Sequence, residues 1–101
     1  MKLNLQPLIQ MPTLNGNRLI LIDTSGLRNV SLSEKNRNIY CIDSSNEIVW
    51  QINPMIPPKS ETDCFVSLNS VGGKFLADRF FGDEFEIDFI TGNAISTGWH
   101  K

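Results

Sequence analysis

From Glu84 to Phe89 the chain alternates strictly: Phe85, Ile87 and Phe89 fall on one parity and Glu84, Glu86 and Asp88 on the other. A period of two sends successive side chains to opposite faces, so the pattern predicts a strand with one face in the core and one in water. Gly82-Asp83 before it and Thr91-Gly92-Asn93 after it are turn formers, and residues 75–98 therefore read as three antiparallel strands.

Other segments follow the same logic. Asn15-Gly16 is a two-residue hairpin signal leading into Arg18-Leu19-Ile20-Leu21-Ile22, an apolar run that predicts a strand buried on both faces. Val30 and Leu32 alternate with Ser31 and Ser33, which predicts a short strand, with Ser33 to Asn36 as a polar turn. Ile39–Asp43 and Ile48–Ile52 are predicted strands around the loop Ser44–Glu47. Asn53 to Asp63 carries three prolines and reads as a surface connection. Cys64–Leu68 is a predicted strand, and Asn69 to Gly73 a turn. No segment repeats apolar residues at helical spacing for an adequate length. The expected fold is a single all-β domain over residues 1–101, without a substantial helix. It is a small antiparallel β-sandwich or barrel of about seven to nine short strands.

A weak internal repeat joins Tyr40-Cys41-Ile42-Asp43, a loop and Ile48-Val49-Trp50 to Phe85-Glu86-Ile87-Asp88, a loop and Ala94-Ile95-Ser96. Hairpins of this style resemble propeller blades. They raise an alternative function: a propeller-like structural or carbohydrate-binding module that oligomerises to cover its edges.

Register adds a further expectation. A two-residue turn at Gly82-Asp83 pairs Phe81 with Glu84, Phe80 with Phe85, Arg79 with Glu86 and Asp78 with Ile87. The apolar side then collects Leu76, Phe80, Phe85, Ile87 and Phe89, and Arg79 stands on the acidic side as a countercharge. Asp78 points inward, a misfit that requires a hydrogen-bonding partner or a bulge.

Charge sharpens the picture. The net charge is −2 and 20% of residues are charged, ordinary for a globular chain and weakly against nucleic-acid binding. Residues 1–40 hold five bases against two acids, whereas residues 41–101 hold four bases against nine acids. The acids concentrate in Asp83, Glu84, Glu86 and Asp88. The plain reading is a solvated face. The functional reading is an anionic stripe that meets a basic protein surface. A calcium site is a third reading, opposed by the absence of EF-hand spacing.

Catalytic chemistry has little to stand on. His100 is the single histidine and lies one residue from the C-terminal residue, with no Ser or Cys assignable to it. Cys41 and Cys64 lack the spacing of a zinc site and read as reduced packing residues; a disulfide between them is the minor alternative. Gly72-Gly73 is a turn pair and not a phosphate loop. Trp50 is expected in the core, and Trp99 is open between core and surface. No enzyme activity and no cofactor is expected. No signal-peptide core or membrane-spanning run is visible, which makes the cytoplasm the expected compartment.

The stretch Phe65-Val66-Ser67-Leu68, Gly73-Lys74-Phe75-Leu76-Ala77-Asp78, Phe81-Gly82, Phe85-Glu86-Ile87-Asp88 and Thr91-Gly92 resembles small bacterial proteins encoded beside polymorphic toxins. These are identified as immunity proteins, including some of contact-dependent growth inhibition systems. The resemblance spans about residues 38–101 and rests on turn and core positions. It implies a cytoplasmic all-β inhibitor of one cognate toxin domain, often a nuclease with a basic groove. No functional residue carries over by motif.

Overall fold

The computed structural model of the chain describes residues 7–24, 31–60 and 62–99, without the side chains of residues 32, 33 and 99. Among the described residues nine strands form two sheets: β1 (Pro7–Pro12), β2 (Arg18–Ile22), β3 (Ile39–Ile42) and β4 (Ile48–Gln51) in one; β5 (Asn53–Pro54), β6 (Phe65–Val71), β7 (Lys74–Arg79), β8 (Asp83–Ile87) and β9 (Asn93–Trp99) in the other. The orders are β1-β2-β3-β4 and β5-β9-β8-β7-β6. Leu19, Leu21, Ile39, Cys41 and Trp50 from the first sheet meet Phe65, Leu68, Phe75, Ala77, Phe85 and Ile87 from the second in one core. This is the all-β sandwich that the alternation predicts. Among the described residues no helix is long and apolar enough to cross a membrane.

Local chemistry explains the elements. Leu19 to Ile22 are all buried, on both faces of β2 as the unbroken apolar run requires. Gly72 and Gly73 carry φ of +57° and +81°, the left-handed pair of a type I′ hairpin turn, whose twist suits β6 and β7. β6 therefore runs to Val71, past the turn expected from Asn69. The repeated Ile-Asp resolves into one turn device used in both sheets. Asp43 Oδ1 accepts from the Ser45 and Glu47 amides, and Asp88 Oδ1 from those of Ile90 and Thr91.

Two expectations about short elements are corrected. Leu32–Lys35 is one turn of helix, α1, and not a strand; Val30 lies outside the described residues. Ser31 is its N-cap: Oγ accepts from the Glu34 amide at 3.2 Å, and Ser31-x-x-Glu34 is the capping-box spacing. Within the expected connection, Asn53 and Pro54 pair with Asn93 and Ala94 in parallel, so the second sheet is not purely antiparallel.

The largest correction concerns β7. Asp78 pairs with Glu84, Ala77 with Phe85, Leu76 with Glu86 and Phe75 with Ile87. The turn spans Phe80 to Gly82, closed by the Gly82 amide on the Arg79 carbonyl at 3.0 Å. A three-residue connection in place of two reverses the faces of β7, since side chains alternate. Phe75, Ala77 and Arg79 point inward; Leu76 and Asp78 point outward; Phe80 is exposed on the turn.

Arg79 is 2% exposed. Its guanidinium carbon lies 4.6 Å from the Phe85 ring centroid and 5.5 Å from that of Phe65, and those two rings meet edge to face at 5.7 Å. Nη1 and Nη2 donate to the carbonyls of Pro57 and Ile56 at 3.1 and 2.6 Å. Asp83 Oδ2 stands 3.9 Å from Nη1, and Lys59 Nζ donates to Asp83 Oδ1 at 3.3 Å. Asp63, fully buried, accepts the Lys59 and Phe81 amides on its two oxygens. Burial pulls the Arg79 guanidinium below its ordinary pKa, and the charges of Asp63 and Asp83 oppose that pull. The network ties the proline-rich connection to the β7–β8 turn.

Asn38 joins the sheets. Its Nδ2 donates to the carbonyls of Ile22 and Phe65, and its Oδ1 accepts from the Phe65 amide at 2.8 Å. Both cysteines are free. Cys41 is buried, which pushes its thiol up. Trp50 is in the core, and Nε1 donates to the Phe89 carbonyl at 3.1 Å. Gly92 lies against it with φ of +84°, and a Cβ there would come within 2.6 Å of Trp50 Cδ2 and Cε3.

Gly92→Ala is predicted to lose about 2–5 kcal/mol, from overpacking against the indole and a left-handed φ. Thermal unfolding should show Tm lower by more than about 8 °C, and an unchanged Tm would refute the close approach. Arg79→Met is predicted to lose about 3–5 kcal/mol in denaturant unfolding, because Asp63 and Asp83 stay buried without their countercharge. Adding Asp83→Asn should recover part of that loss; strict additivity of the two changes would show that the carboxylate and guanidinium do not interact.

Candidate functional site

The outer face of the second sheet carries the acidic residues. Alternation along β8 sends Phe85 and Ile87 into the core and Glu84 and Glu86 outward, as the sequence predicts. The register brings Asp78 of β7 directly opposite Glu84. Two carboxylates in facing positions have Cβ atoms about 4.5–5.5 Å apart and repel. Neighbouring hydroxyls share the load: Ser67 Oγ donates to Asp78 Oδ2 at 2.7 Å, and Thr97 Oγ1 donates to Glu84 Oε1 at 2.6 Å. Lys74 Nζ lies 3.8 Å from Glu86 Oε1, and both side chains are well exposed, so the pair contributes little to stability.

A shallow depression of about 560 Å³ opens at the end of this face, walled by Lys74, Glu86, Asp88, Ile95 and Thr97. Ile95 is 67% exposed and faces Glu86 across the strands. Asp88 ends the acidic row. It is exposed and also shapes the following turn through its Oδ1. Glu84, Glu86 and Asp88 thus stand together as expected. Asp83 does not join them: it is 8% exposed, shares the inward parity of Phe85, and holds Lys59 and Arg79. Asp78 takes its place in the group. Sequence reading sent it inward through the assumed two-residue turn, although its parity opposite to Phe75 and Ala77 already pointed outward.

Arg79, expected as the countercharge of this face, is on the other side of the sheet. Among the described residues no group of three or more His, Cys, Asp or Glu side chains converges to hold a metal ion. His100 lies outside the described residues, as does the side chain of Trp99. The arrangement offers hydrogen-bond acceptors and negative charge beside exposed aliphatic surface. Those are the elements of a polar protein interface.

Neither a curated protein nor a solved structure matches the chain. A family model described as "Domain of unknown function (DUF7957)" matches residues 12–99, and the chain belongs to that family.

Proposed function

We propose that the protein is an immunity protein that neutralises a cognate bacterial toxin by stoichiometric binding in the cytoplasm, with the acidic outer face of β7 and β8 as the anionic part of the interface. The observation that carries this reading is the facing pair Asp78 and Glu84. Carboxylates directly opposite one another work against folding, so their place on an otherwise well-ordered sheet is better accounted for by a partner than by the scaffold. Glu86 and Asp88 extend the same charge along the strand, and Ile95 supplies an apolar contact beside it.

A nuclease suits this surface. Its groove is basic because it binds phosphates, and a negative protein face competes for the same cations. Charge complementarity of this kind speeds association and selects the partner more than it adds affinity. The inhibitor needs no chemistry of its own. Covering the groove is enough.

The proposal requires that a neighbouring gene encode a toxin nuclease domain, and mixing the purified chain with that domain should give a one-to-one complex and abolish nucleic-acid cleavage. Persistence of cleavage at excess inhibitor would overturn the proposal. The triple change Glu84→Gln, Glu86→Gln, Asp88→Asn keeps the acceptors used by Thr97, Ile90 and Thr91, so folding stability should move by less than about 0.5 kcal/mol. Its affinity for the toxin should fall by about tenfold or more at low salt, with the difference narrowing as salt rises. Equal affinity at low ionic strength would place the interface elsewhere.

A further inference from the structure

We propose that two copies of the chain associate through β6, antiparallel about a two-fold axis at Asn69, joining their second sheets into one continuous sheet. The starting point is a difference among the four sheet edges. β1 begins and ends in proline and carries a bulge between Pro7 and Ile9; β4 is four residues long; β5 has two residues and ends in Pro54, and β9, which β5 covers only to Ala94, is bulged between Ser96 and Gly98. Short length, proline and bulges are the devices that keep an edge from pairing with another chain. β6, Phe65-Val66-Ser67-Leu68-Asn69-Ser70-Val71, is seven residues long and contains no charge, proline or glycine.

Its free main-chain groups are identifiable. Val71 and Lys74 close the two-residue hairpin, so Val71, Asn69 and Ser67 hydrogen-bond to β7. The alternate residues Leu68 and Ser70 turn their N–H and C=O groups away from β7. Asn38 already occupies the amide and carbonyl of Phe65, so the open edge begins beyond it. Among the described residues no strand pairs with β6 on that side.

The occupant is a second copy because the edge is self-complementary. An axis at Asn69 sets Leu68 against Ser70 of the partner subunit, and Ser70 against Leu68 of the partner subunit. Each pair exchanges two bonds, about four in all. Inner and outer faces remain aligned across the junction, as this symmetry requires. No like charges meet at the edge itself. Behind it, the row Asp78, Ser67 continues into Val71 and Lys74 of the partner subunit, so opposite charges flank the junction on both sides of the axis. They stand about 14 Å apart, beyond the Debye length at physiological salt, and orient the pair more than they hold it. Val66 and Val71, 50% and 58% exposed, lose water contact at the two ends. A junction of this size buries less than about 1,200 Å², so the dimer exchanges with monomer. The acidic face of β8 stays open in it.

Sedimentation equilibrium of the purified chain alone, from about 10 µM to about 1 mM, tests the proposal without any toxin present. The wild type should pass from monomer to dimer over this range. Ser70→Lys puts a charge on an exposed edge position, and Asn69→Asp places two carboxylates face to face on the axis. Each should raise the dimer Kd by about tenfold or more with an unchanged circular dichroism spectrum. A wild type that stays monomeric throughout, or a folded variant of either kind that dimerises as tightly as the wild type, overturns it.

Discussion

A buried guanidinium must find acceptors for its hydrogens and a countercharge, and Arg79 imposes that requirement on much of this fold. Its guanidinium carbon stands over the rings of Phe85 and Phe65 at the end of β7, on the inner side of the second sheet. Its acceptors are carbonyls more than twenty residues earlier, in a connection whose prolines could not have formed a strand ladder. Asp83 and Asp63 supply charge; Lys59 Nζ pairs with Asp83, and the Lys59 amide donates to Asp63. The three-residue β7–β8 turn and the parity of β7 place this side chain among those partners.

The outer face inherits its chemistry from the inner one. Because Arg79 and Asp83 take inward positions, Asp78 and Glu84 are forced outward, and the register sets them opposite each other. The acidic surface is therefore not a freely chosen decoration of exposed positions. It is coupled through the backbone to a buried ion network on the other side of the same two strands.

Asn38 performs a comparable service between the sheets. One amide side chain substitutes for a strand at the start of β6 and reaches the end of β2, so two sheets that otherwise meet through apolar packing share a polar junction. Beyond it, among the described residues, no strand pairs with the edge. The protein thus presents two surfaces of different character: a charged face on β7 and β8, and an uncharged main-chain edge on β6.

Features governed by neighbours within a few residues were for the most part legible in the chain alone. The alternation of Glu84 to Phe89 set which side chains of β8 are buried; the unbroken run of β2 set burial on both faces; Gly72-Gly73 and Asp88 set their turns. Even α1 was legible, in the Ser31-x-x-Glu34 capping spacing, although the alternation of Val30 to Ser33 suggested a strand instead. The acidic group was legible to the same extent, in Glu84, Glu86 and Asp88. The register of β7 and the burial of Arg79 and Asp83 were settled by contacts distant in sequence. The local sequence accommodates a two-residue turn at Gly82-Asp83 as well as the observed three-residue turn over Phe80 to Gly82. The choice fell to acceptors on Ile56 and Pro57 and to the rings of Phe65 and Phe85, groups distant in sequence that meet only when the sheets close.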